Sequence, residues 1–117
     1  MGLFADTRTK TKFARAVQPI ATAWEMQEIG HLVTAFRTAL PIAREILAEL
    51  EGKQSLSSVY QQAHENTRQA AELLEACCAN FLASIVTEGD RLKSWHPEVA
   101  ESCVRGAVTA FAAATSD

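Results

Sequence analysis

Residues 55–88 read SLSSVYQQAHENTRQAAELLEACCANFLASIVTE, with no glycine or proline before Gly89. Ser55 or Ser57 suits an N-cap, because a serine hydroxyl accepts a bond from the first free backbone N–H groups of a helix. Beyond that start, Leu56, Tyr60, Ala63, Thr67, Ala70, Leu74, Cys77 and Phe81 recur at alternating spacings of four and three, the seam of a helix packed along its length. At about 1.5 Å per residue such a helix approaches 50 Å. The residues at the centre of its seam are small, which lets another backbone come close.

On the C-terminal side, Gly89 to Ser94 reads as a turn and Pro97 as the first residue of a last helix. Glu98 and Glu101 fall in its first turns, where negative charge complements the helix dipole. Ala100, Cys103, Ala107 and Phe111 give it a narrow apolar stripe. A long helix, a short turn and a returning helix make an antiparallel hairpin.

On the N-terminal side the breakers set the expected helix count. Gly52 closes a helix over 41–51, and Pro41 separates it from one over 19–39. The latter carries Met26, Ile29, Val33, Phe36 and Leu40 on one side and Ile20, Trp24, His31 and Ala35 on another, the pattern of a helix covered on two sides. Gln18 precedes Pro19 and is biased away from the helical region, so a first short helix runs from Asp6 or Thr7 to Val17. The expectation is one all-α domain spanning 1–117, with residues 1–5 a flexible start. It has a four-helix bundle-like core and a short extra N-terminal helix. The long seam and the two-sided helix offer more apolar surface than short neighbours cover, so dimerisation is expected to complete it.

Composition agrees with this class. Of 117 residues, 48% are hydrophobic and 21% charged, which is globular rather than disordered. The net charge of −3 implies no strongly charged partner for the whole chain. Residues 1–18 are basic, and residues 59–117 hold four bases against eight acids. No apolar run is long enough to span a bilayer, and the start lacks the apolar segment of a secretory signal. Met1-Gly2 does not extend to a myristoylation motif, since position six is Asp6. Cys77, Cys78 and Cys103 have no metal-finger spacing and read as buried reduced thiols, in keeping with a cytoplasmic location.

Three sets of residues carry candidate chemistry. Glu28 and His31 form a Glu-x-x-His unit that aims a carboxylate and an imidazole toward one ion, as di-iron helical proteins do twice over. Only one copy is present; Gln61 with His64 is an imperfect echo. Glu88, Asp90, His96, Glu98 and Glu101 gather oxygen ligands around the last turn, the donor set of a hard divalent metal. Glu72 with Glu75 shares the Glu-x-x-Glu spacing of Glu98 with Glu101, but an antiparallel hairpin holds Glu75 and Glu98 roughly 18 Å apart by helical rise. Arg8, Lys12 and Arg15 fall on one face of the first helix, a basic stripe for nucleic-acid phosphates. Without interleaved aromatics, a solvated helix face is the plainer account, and nucleic acid is not the expected partner. No nucleophile elbow, phosphate-binding loop or activated cysteine is present.

Large aromatics dominate interface energetics, which singles out Trp24, Tyr60 and Trp95. Trp95 precedes Pro97 in the final turn, where it either plugs the end of the core or anchors a partner. The function expected is a non-catalytic helical interaction or assembly module: an adaptor, small subunit or regulator without a cofactor. It self-associates or binds another protein through Leu56, Tyr60, Ala63, Ala70, Leu74, Trp24 and Trp95. The alternative is a metal-dependent all-α enzyme of nucleotide-hydrolase or di-iron type, and the third is weak nucleic-acid binding through the basic stripe.

Overall fold

The computed structural model describes residues 7–52 and 58–116, without the side chains of residues 58–60. Four helices and one hairpin follow in order: α1 (Thr7–Glu25), α2 (Ile29–Glu51), α3 (Ser58–Ser84), β1 (Val86–Glu88), β2 (Arg91–Ser94) and α4 (Pro97–Thr115). Each helix packs on the next in sequence, and α1 also packs on α4, closing the set around one core. The molecule measures 49 × 24 × 20 Å. None of the described helices is long and apolar enough to cross a membrane.

The all-α class is as the sequence indicates, but the helix boundaries in the first half are not. Pro19 lies inside α1 and Pro41 inside α2, so neither proline separates two helices, and among the described residues the expected short helix ending at Val17 is the first part of α1. A proline at position i leaves the carbonyl of residue i−4 without its N–H partner. Those residues are Arg15 and Arg37, both exposed, where water can satisfy the freed carbonyl and the helix continues.

The break falls instead at Met26, Gln27 and Glu28. Gln27 adopts φ 57°; its N–H donates to the Trp24 carbonyl at 3.1 Å, and the Glu28 N–H donates to the Ala23 carbonyl at 3.0 Å. These two bonds are a Schellman stop, which satisfies carbonyls that the end of a helix leaves open. Glycine normally takes the left-handed position; here glutamine does. α2 begins one residue after Glu28, and α1 and α2 pack side by side.

α3 ends at Ser84, short of the expected Glu88, because Ile85, Val86 and Thr87 are β-branched and suit an extended backbone. The expected turn over Gly89 to Ser94 is therefore part of an antiparallel hairpin. Gly89 at φ 63° opens its two-residue loop, and an extra residue in β2 shifts the register between Val86 and Thr87.

The core joins a few large side chains to many small ones. Phe36 of α2 stacks on Phe81 of α3 with centroids 4.4 Å apart. Phe13, Ile20, Leu32, Ile46 and Leu74 are fully buried around them. The buried face of α4 is Ala100, Cys103, Val104, Ala107, Ala110 and Ala114, with nothing larger than valine, so this helix lies close to its neighbours. Gly106 meets α3 closely: a Cβ at that position would overlap Cys77 Sγ. Leu56 and the Tyr60 side chain, at the start of the expected seam, lie outside the described residues. Thr67, Ala70, Leu74, Cys77 and Phe81 are buried within the single chain, so this part of the seam needs no second copy to cover it.

Two stability outcomes follow from this packing. Gly106→Ala should lower stability by about 1–2 kcal/mol, overpacking against Cys77 exceeding the gain in helix propensity. Adding Cys77→Ala to it should restore part of the loss, a coupling measurable in a urea-denaturation double-mutant cycle. Gln27→Gly should raise stability by about 0.5–1 kcal/mol, because glycine holds the left-handed conformation without steric strain. Thermal melts should show a rise of about 2–6 °C; an unchanged or lower midpoint would remove the strain argument.

Candidate functional site

The Schellman stop that ends α1 also shapes a concavity. Trp24 lies in the last turn of α1, Gln27 and Glu28 form the corner, and Ile29 and Leu32 follow in the first turns of α2. Trp95 arrives from the link between β2 and α4. Together with Ala23 these residues line a cavity of about 420 Å³, within the size range of small-ligand and side-chain pockets. Both of the chain's two tryptophans border it, each half-buried against the core. Trp95 thus covers the end of the core and still leaves a concavity beside it.

Glu28 is the one ionisable residue among those lining the cavity. Its carboxylate Oε2 pairs with His31 Nδ1. His31 is exposed, and no third His, Cys, Asp or Glu joins the pair, since no group of three such residues is placed to hold a metal ion among the described residues. The Glu-x-x-His unit is therefore a one-turn contact between a carboxylate and an imidazole at the start of α2.

The acidic set around the final turn is likewise spread over the surface. Glu88, Asp90, His96, Glu98 and Glu101 are all exposed. Glu88 lies 3.6 Å from Lys93 Nζ across the hairpin, and Glu101 accepts a bond from Arg105 at 2.6 Å one turn along α4. Glu72 pairs with Arg68, and Glu75 lies 3.3 Å from Arg44 of α2. Arg68 also bonds Glu65 and holds that carboxyl below its usual range.

Of the basic stripe of α1, Lys12 is engaged inside the fold, and Arg8 and Arg15 stay on the surface. Lys12 is buried, with Nζ bonded to Glu49 and 3.2 Å from Glu45, one turn apart on α2. Arg8 lies 3.6 Å from the same Glu49. The spacing of acids on α2, not visible as a partner to α1 in the sequence, turns Lys12 inward. Arg15 remains exposed, on the rim of a groove of about 600 Å³ between α1 and α2 that also carries Met26 and His31. His64, half of the imperfect echo, has a structural use: its Nε2–H donates to the Leu50 carbonyl at 2.7 Å, tying α3 to the end of α2. The carbonyl can only accept, which fixes the proton on Nε2.

All three cysteines are free and buried. Burial pushes the Cys77 thiol up to about 11 and the Cys78 thiol up to about 12, and raises Cys103 as well. These are protonated, unreactive thiols at neutral pH.

The residues the sequence named one by one, Trp24 and Trp95, are 71 positions apart, and nothing in their spacing announces a shared cavity. Gln27, Ile29 and Leu32 were not marked as site residues at all. Comparisons with protein-family models, with curated proteins and with solved structures gave no significant match.

Alkaline stability follows from the thiols and Lys12. The thiols titrate near 9.0 when unfolded and well above that when folded, so over that interval the folded chain holds more protons and loses stability as pH rises. Lys12, raised above its ordinary 10.5 chiefly by its bond to Glu49, adds a loss of the same sign above that pH. Melting under reducing conditions should be flat from about pH 7 to 8.5 and fall from about pH 9 upward. Cys78→Ala should make the fall shallower between about pH 9 and 11. A slope identical to the parent's would count against burial as the cause.

Proposed function

We propose that the chain is a non-catalytic helical interaction module that docks another protein through the end carrying Trp24 and Trp95. The observation that supports this is the gathering of apolar surface there. Both tryptophans border one cavity, and exposed Met26 (61%) and Val86 (51%) lie at the same end of the molecule, on the α1–α2 corner and the hairpin. Exposed apolar clusters around a concavity are what partner side chains fill, with aromatic residues as anchors. A catalytic reading has less behind it: the thiols are buried and protonated, and Glu72, Glu88 and Glu101 are engaged on the surface by Arg68, Lys93 and Arg105.

The test is a displayed peptide library selected on the folded chain, followed by affinity measurement against Trp95→Ala and Met26→Ala, each first checked by circular dichroism for an intact fold. Selected peptides should bind the parent and weaken at least about tenfold, roughly 1.4 kcal/mol, on Trp95→Ala. Peptides indifferent to both substitutions, or no enrichment at all, would remove this end as the docking surface. Sedimentation velocity reads whether the partner is a second copy: a dimer that dissociates on Trp95→Ala places the contact at the same end.

A further inference from the structure

The lining of the cavity says what kind of group it receives. Two indoles border it, Ala23, Ile29 and Leu32 supply apolar surface, Gln27 adds an amide, and Glu28 contributes the single charge. Among the described residues no cationic side chain lines it. We infer that the cavity between the α1–α2 corner and Trp95 accepts a weakly hydrated organic cation, a guanidinium or an alkylated ammonium, between the indoles and the Glu28 carboxylate. This rests on the docking role proposed above and adds the chemistry of the inserted group.

Three observations favour a cation over a neutral apolar group. Indole is the strongest of the side-chain rings at attracting a cation, through the negative potential of its face, and here two meet at one cavity. The Glu28 carboxylate has Oε2 engaged by His31 Nδ1, which leaves Oε1 for a ligand. The same end of the molecule is acidic: Glu28, Glu88, Asp90, Glu98 and Glu101 outnumber Arg91, Lys93 and Arg105 there. That excess of negative charge steers a cation toward the opening. A diffuse cation suits the site better than a primary ammonium because it gives up its hydration more readily at a partly apolar wall.

Because Trp24 and Trp95 are the only tryptophans in the chain, intrinsic fluorescence of the full chain reports directly on the cavity. The probes are a capped Gly-Gly-Arg-Gly-Gly peptide, the same peptide with neutral citrulline in place of arginine, and tetramethylammonium chloride. The arginine peptide should give a saturable change in tryptophan emission, with the citrulline peptide at least about tenfold weaker. Glu28→Gln should cause a loss of similar size, whereas Glu25→Gln, outside the cavity, should leave binding within about twofold. Arginine peptide binding places the cation on a protein side chain. A response to tetramethylammonium alone supports the same cation chemistry with a free small cation as its source.

Equal binding of the arginine and citrulline peptides overturns the inference and leaves the docking role standing. Equal losses on Glu25→Gln and Glu28→Gln also overturn it, since a diffuse acidic surface would then account for the binding. If no probe changes the emission while library-selected peptides still bind through Trp95, the cation chemistry fails alone. If neither probes nor selected peptides bind, both proposals fall together.

Discussion

Gln27, held at φ 57° between two helices, is the residue on which both the helix arrangement and the cavity depend. Its left-handed conformation brings the N–H groups of Gln27 and Glu28 back onto the carbonyls of Trp24 and Ala23, so α1 ends with its backbone groups satisfied and α2 starts in a new direction. Without that reversal the chain from Thr7 to Glu51 would be a single long rod, and Phe13 of α1 could not share a core with Phe36 of α2. The same reversal places Trp24 at the end of one helix and Ile29 and Leu32 at the start of the next, on one side of the concavity. A left-handed non-glycine residue costs about 1–3 kcal/mol. Here the surrounding packing of α1 on α2 sustains it.

The last helix solves a different problem, how to pack closely with a fully buried face that carries no large side chain. α4 offers alanine, cysteine and valine to the core, and Gly106 removes even a methyl where Cys77 approaches. Small faces gain little from burial per residue, since transfer free energy scales with area. They gain through short interaxial distance, which multiplies close atomic contacts. The large apolar groups are concentrated instead on α1, α2 and α3, where Phe36 stacks on Phe81 and Phe13, Ile20, Leu32 and Leu74 close around them. Buried Lys12 belongs to the same economy of space: its stem packs among these helices, and its ammonium is met by Glu49 and Glu45 as it leaves the interior.

How much of this was readable in the sequence depended on whether the signal was local. The seam from Thr67 to Phe81 and the narrow stripe of α4 were legible, because their periodicity is a property of one helix. The helix break was not. Pro19 and Pro41 are the strongest breakers by type, yet the carbonyls they free belong to exposed Arg15 and Arg37 and are left to water. Gln27 carries no turn signal; only the packing of α1 against α2 selects its conformation. The candidate sites divided the same way. Arg8, Lys12 and Arg15 read as one exposed stripe because Glu45 and Glu49, which draw Lys12 inward, lie more than thirty residues away. Glu28 with His31 was legible as a pair, and its isolation from a third ligand was not.

The cavity follows from the contrast between the small buried face of α4 and the helix ends. Where α4 closes on α3 through alanines and Gly106, an indole would force the two helices apart. The two tryptophans are accommodated where the helices end, Trp24 in the last turn of α1 and Trp95 just before α4, and the hairpin brings the second to face the first region. Two indoles, a helix corner and one carboxylate cannot fill that end as completely as alanines fill the middle, because their shapes are fixed and their attachment points are far apart. Glu28 sits at the edge of the concavity because its N–H closes the Schellman stop and holds it outside both helices, where one carboxylate oxygen meets His31.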